Sequence, residues 1–85
     1  MGHFKDQRFD PLFAALPAQV QKLARKQFKL LKANPKHPSL HFKQVKTDLW
    51  SARVGRHYRA LAVEVDGDFR WFWIGGHGEY DGKIR

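Results

Sequence analysis

His77 and Tyr80 stand three residues apart in the run Gly75-Gly76-His77-Gly78-Glu79-Tyr80. Histidine alone has an ordinary pKa near neutrality, so it can accept or donate a proton there. Tyr80 lies one helical turn further on if the tail coils, with Glu79 and Asp81 flanking it. Upstream, Arg53 and Arg59 carry planar forks that match phosphate. Lys43 and Lys46 add positive charge before them. Together these types suit cleavage of a phosphodiester by its own neighbouring 2′-hydroxyl, which needs no metal. That reaction needs a base at the hydroxyl, an acid at the leaving oxygen and positive charge on the phosphate.

Each residue also has a plain structural reading. His77 would be a surface or capping residue, and Tyr80 would close an edge of the core. Arg53 and Arg59 would pair with Glu64, Glu79 or Asp81. The five histidines, with no cysteine to support them, form no zinc pattern, so neither a metal nor another cofactor is expected. The chain also lacks a phosphate-binding glycine loop and a serine nucleophile elbow.

The elements that must hold these groups lie between Leu49 and Tyr80. Three runs rich in Trp, Tyr, Phe, Val and Leu read as strands near 49–54, 57–65 and 68–75. Gly55-Arg56 and Asp66-Gly67 punctuate them as hairpin turns. Two-residue loops at both turns set Trp50 opposite Leu61, Arg53 opposite Tyr58, Ala62 opposite Trp71 and Ala60 opposite Trp73. One face then carries Trp50, Arg59, Leu61, Val63, Phe72 and Ile74. The other carries Arg53, Tyr58, Ala60, Ala62, Trp71 and Trp73, with Trp73 a candidate surface for an RNA base. A slip of one residue, or a bulge, exchanges these faces.

Upstream, Asp10-Pro11 reads as the start of a short helix to Leu16. Pro17 restarts the chain as a second helix over about 18–33. In it Val20, Leu23, Ala24, Phe28 and Leu31 share one face, and Lys22, Arg25, Lys26, Lys29 and Lys32 the other. Asn34-Pro35 ends it. Residues 40–45 read as a further strand, from the alternation in Leu40-His41-Phe42-Lys43. Residues 1–8 read either as a short edge strand or as a loose end. The order is α+β: two N-terminal helices packed on a four-stranded antiparallel sheet, with room for one extra edge strand.

Eighty-five residues make a single domain, 1–85, with a limited core. No stretch approaches the ~20 apolar residues of a membrane helix, so no membrane partner is expected. The opening MGHFKDQRF has no apolar core and is not a signal peptide, which makes the cytoplasm the default compartment. Sixteen Lys and Arg against eight Asp and Glu give a net charge of +8. Nothing acidic lies between Pro11 and Thr47. That asymmetry points to an anionic partner, a polyanion or an acidic protein.

Taken together, Leu40-His41-Phe42-Lys43, Trp50-Ser51-Ala52-Arg53-Val54-Gly55, Tyr58-Arg59-Ala60-Leu61 and the ending from Ile74 to Tyr80 resemble the RelE/ParE toxin superfamily over roughly residues 9–84. The resemblance implies a small sheet backed by two helices and the toxin half of a bacterial toxin–antitoxin pair, held by an acidic antitoxin. RelE-like members cut messenger RNA at the ribosome without a metal. On that pattern Arg59 matches the arginine on the scissile phosphate, His77 and Tyr80 match the C-terminal acid/base region, and Lys43 and Lys46 approximate a basic pair. ParE-like members instead inhibit DNA gyrase without cutting RNA, and some relatives are inactive. A third reading is a basic nucleic-acid-binding module that stacks bases on Tyr58, Trp71 and Trp73. The polar His3-Phe4-Lys5-Asp6-Gln7 stands where relatives carry their first strand.

Overall fold

The computed structural model describes residues 2–84. Its strands are β1 (His3–Lys5), β2 (Lys43–Lys46), β3 (Leu49–Val54), β4 (Tyr58–Val65) and β5 (Asp68–Gly76). They form one sheet in the order β1-β5-β4-β3-β2. Helices α1 (Phe9–Ala14) and α2 (Ala18–Ala33) cover one face, and α3 (His77–Lys83) follows the last strand. The α+β expectation holds, with five strands rather than four.

The meander and α2 fall where their patterns put them. Polar as it is, the N-terminal run adds a strand: β1 pairs in parallel with β5, His3 beside Phe69 and Lys5 beside Trp71. Its anchor is His3, whose ring stacks on Phe69 at 5.1 Å and whose Nδ1 accepts from Trp71 Nε1 at 3.1 Å. The first helix begins two residues before the expected Pro11. The Asp6 carbonyl takes the Phe9 amide, and the Asp6 carboxylate takes the Arg8 amide. Asp10 therefore lies inside the first turn, where its charge suits the helix dipole. Residues 40–45 are not one strand. Pro38–Leu40 forms a 3₁₀ turn, His41 takes a left-handed φ of 43°, and Leu40 plugs the core with no exposed surface. The strand starts only at Lys43.

Two local features correct the expected faces. The first hairpin loop has three residues, Gly55-Arg56-His57, not two. Gly55 has φ +69°, and a Cβ there would meet Leu23 Cδ2 at 2.6 Å, so α2 packs directly on this corner. With the extra residue, Arg53 lies opposite Arg59, Ala52 opposite Ala60 and Trp50 opposite Ala62. The second hairpin keeps its expected register as far as Ala62 opposite Trp71. A bulge then sets Leu61 opposite Trp73 and Ala60 opposite Ile74, with Phe72 as the extra residue.

The face under α1 and α2 therefore carries Ala52, Val54, Ala60, Ala62, Phe69, Trp71 and Ile74. Three alanines leave room there for helices, not for a base. The opposite face carries Ser51, Arg53, Arg59, Leu61 and Trp73, and α3 lies on it.

His3 couples this fold to pH. Burial among the rings, and then Lys32, push its pKa below the ordinary value of about 6.5, against a smaller upward pull from Asp68. The unfolded chain thus binds a proton that the folded chain resists. Stability is full above about pH 6.5 and falls as pH drops toward the lowered folded value. Thermal melts between about pH 7.5 and 5.5 should show this decline, and His3→Gln should flatten it.

Candidate functional site

The site is assembled on the Arg59 face by the turn from β5 into α3. Gly76 precedes the helix in extended conformation, and the His77 amide donates to the His57 carbonyl at 2.8 Å. That bond pins the first turn of α3 to the β3–β4 loop. The sequence HGEYDGK has two glycines and is a poor helix on propensity. Tertiary packing of Tyr80, 6% exposed, holds it in place.

Tyr80 is the centre of the arrangement. Its hydroxyl donates to Ser51 Oγ at 3.2 Å, and this pair is buried. Its ring and the His77 ring meet at a steep angle, with centroids 5.9 Å apart and planes at 76°. The Arg59 guanidinium lies over the same ring, 5.6 Å from its centroid. So imidazole and guanidinium, eighteen residues apart in sequence, share one aromatic support on the face away from α1 and α2. His77 itself is exposed, and its Nδ1 lies 3.4 Å from Asp81 Oδ2, one helical turn on. A carboxylate there favours the proton on Nδ1 and leaves Nε2 for a substrate.

The other expected site residues divide. Arg53 lies directly across from Arg59, half-buried, with Nε donating to the Gly55 carbonyl at 3.2 Å. The sequence reading sets these two on opposite faces; the three-residue loop puts them on one. Lys43 pairs with Ser51 and Lys46 with Leu49, so β2 presents both exposed lysines on the same face. Trp73 is corrected. It is 5% exposed, packs with Leu61 and Tyr80, and lies across Gly75, where a Cβ would stand 2.5 Å from its ring. It supports Tyr80 and offers no free surface for a base. Trp71, 2% exposed under the helices, offers none either. Tyr80 keeps its place beside His77, but in this conformation its ring faces the site and its hydroxyl faces the interior.

Ser51 is a site residue that sequence reasoning missed. Its signal is the two-residue spacing Leu49, Ser51, Arg53, which puts a small hydroxyl on the arginine face once the register is right. Asp81 stands out in the sequence only as a neighbour; the helix makes it the partner of His77.

The family model of the ParE-like toxin domain matches residues 18–82. The chain belongs to the ParE-like toxin domain family. No curated protein matches it. Among solved structures it is similar to the RelB–RelE antitoxin–toxin complex from Methanococcus jannaschii, at TM-score 0.72 and 13% identity, over 96% of this chain and 99% of that one. It is similar to the isolated Escherichia coli RelE toxin at TM-score 0.64 and 14% identity, over 99% and 98% of the two chains. A copper-bound mutant toxin from Helicobacter pylori gives 0.63 and 15%, over 93% and 97%. At these identities the neighbours establish a shared fold, that of RelE-like toxins. No helix among the described residues is long and apolar enough to cross a membrane.

Proposed function

We propose that this protein is the toxin of a toxin–antitoxin pair and that it cleaves messenger RNA without a metal. The observation that carries this reading is the joint seating of Arg59 and His77 on the Tyr80 ring, on the face that α1 and α2 leave uncovered. Arg59 holds the scissile phosphate and stabilises the charge that builds on it. His77 Nε2 takes the proton of the 2′-hydroxyl, whose oxygen attacks phosphorus to close the 2′,3′-cyclic phosphate as the bond from phosphorus to the 5′-oxygen breaks, and solvent water protonates the departing 5′-oxygen. Asp81 orients the imidazole. Arg53, Lys43 and Lys46 hold the flanking backbone as positive charge on the same face. An acidic antitoxin is the expected partner, in keeping with the acid-free segment 11–47 and with the antitoxin–toxin complex of the Methanococcus jannaschii neighbour.

In this conformation Tyr80 acts as a positioning residue, because its hydroxyl is committed to Ser51. The decisive comparison is Tyr80→Phe with Tyr80→Ala. Purified protein should cut RNA in the presence of chelator and leave 2′,3′-cyclic phosphate ends. Tyr80→Phe loses one buried hydrogen bond, about 1 kcal/mol of stability, and keeps its rate within a few-fold. Tyr80→Ala loses the support and most of the rate. A fall of about 100-fold or more in Tyr80→Phe would instead make the phenol the general acid.

The match to the ParE-like toxin domain keeps one second reading open: the ParE-like alternative that the sequence resemblance implies, a non-enzymatic inhibitor of DNA gyrase or another protein. Growth inhibition that survives His77→Ala would select it.

A further inference from the structure

A groove lies at the corner where α2 meets the loop between β3 and β4. It is open to solvent, with a volume of about 600 Å³. Lys26 on α2, Arg53 and Arg56 on the hairpin, and His37 before the 3₁₀ turn line it. The half-buried Leu23 and Leu30 give it an apolar floor.

The corner is braced from both sides. Gln27, 8% exposed, donates from Nε2 to the Arg53 carbonyl at 3.3 Å and ties α2 to β3. His37 Nδ1 accepts the Ser39 amide at 3.2 Å, with Ser39 Oγ 2.9 Å away. An amide only donates, so the imidazole proton sits on Nε2, and that nitrogen is left as a donor. Arg53 Nε is held by the Gly55 carbonyl at 3.2 Å, which leaves the outer amines of the fork for another acceptor.

The charge is one-sided. Lys26, Arg53 and Arg56 make no ion pair among the described residues, and no carboxylate among them lines the groove. Like charges gathered this way repel one another until an anion enters between them. Two features favour a phosphate carried on a nucleotide chain. The apolar floor suits a ribose or a base edge, which free phosphate lacks. Arg53 also lies directly across from Arg59, so the groove is continuous with the catalytic face. Arg56 is three residues from each of those arginines, within about 10 Å at ~3.3 Å per residue of strand. A stacked nucleic-acid strand advances ~3.4 Å per nucleotide, so it covers that distance in about three nucleotides.

We propose that this groove holds a phosphate of the RNA strand about three nucleotides from the scissile one, with Lys26, Arg53 and Arg56 as its charges and the His37 Nε2 hydrogen as a neutral donor. The proposal rests on the nuclease reading only for which strand is held. A strand anchored there has its register on Arg59 fixed from outside the catalytic groups.

The test uses the full chain and a 2′-O-methyl RNA of about 12 nucleotides, which has no free 2′-hydroxyl and stays uncut. Fluorescence anisotropy gives its affinity across a salt series. Three variants are set against the parent: Lys26→Ala with Arg56→Ala, His37→Asn, and Lys22→Ala with Lys29→Ala. The last pair removes as much charge from α2 outside the groove. These lysines and Arg56 are all exposed, and melting temperatures check that each variant folds. The groove pair should lose about tenfold or more in affinity, and its log–log salt slope should flatten by about 0.7 or more, one phosphate contact. His37→Asn keeps a cap for the Ser39 amide but not the reach of the imidazole, so it should weaken binding about fivefold with the slope unchanged. The control pair should stay within about threefold of the parent. Two results overturn the proposal: equal losses in the groove pair and the control pair, or inorganic phosphate or poly-L-glutamate losing its binding to the groove pair while RNA is held as before. Cleavage is read separately. RNA binding that depends on the groove in a protein that cuts no RNA would sink the nuclease reading alone. Cleavage that depends on His77, with RNA binding indifferent to the groove, would sink the groove alone.

Discussion

Arg59→Ala should lower the rate of RNA cleavage by about 100- to 1,000-fold, the usual cost of removing a preorganised charge from a developing oxyanion. His77→Ala should cost about 100- to 10,000-fold, the range of a positioned acid or base. The two losses separate from unfolding. His77 is exposed, and its removal should move stability by no more than about 0.5 kcal/mol. Arg59 gives up its contact with the Tyr80 ring, worth about 0.5–1 kcal/mol at a partly exposed site. Thermal melts of both variants should therefore stay close to the parent while activity collapses. Arg59→Lys refines the point. It keeps the charge but loses the planar fork, so it should recover only part of the rate. Because both groups act on one transition state, the double variant should be little slower than the worse single one. Cleavage that persists in all of these variants would end the nuclease reading and leave the protein-binding one.

How far the sequence leads depends on which periodicity has a single solution. Helix α2 has one, since its apolar and basic faces separate cleanly at helical spacing, and Pro17 and Pro35 bound it. The meander has one too, in extent. Its faces do not, because period two turns on one residue: His57 joins the first loop, and every partner across β3 and β4 shifts. The bulge at Phe72 does the same on β5, and no local residue announces it. Helix α3 and strand β1 are legible only as alternatives. Both are short and polar, and both depend on distant packing: Tyr80 on Ser51 and Arg59, His3 on Phe69 and Trp71. The site residues are legible as types, since proton carriers and guanidinium forks are scarce and stand out. That Arg53 and Arg59 are neighbours is not, because it follows from loop length alone.

Trp73→Ala should be the most damaging single change for both fold and site, and Trp71→Ala its control. Each ring is almost wholly buried, at 5% and 2% exposure. Each truncation should cost about 3–5 kcal/mol, a large share of the roughly 5–15 kcal/mol that a domain has. Urea melts should put the two variants close together. Their activities should part, because the rings lie on opposite faces of one strand. Trp71 packs beneath the helices with Ala62 and Phe69, away from Tyr80. Trp73 packs with Leu61 and Tyr80 and fills the space over Gly75. Removing it takes away the floor on which Tyr80 seats His77 and Arg59. Per folded molecule, Trp71→Ala should cleave at nearly the parental rate, while Trp73→Ala loses most of its activity. Trp73→Phe, a smaller truncation, keeps enough protein folded to measure this if the alanine variant unfolds. Equal activity per folded molecule in the Trp71 and Trp73 variants would mean that α3 holds its place without Trp73, and that the catalytic groups owe their geometry to the β5–α3 turn alone.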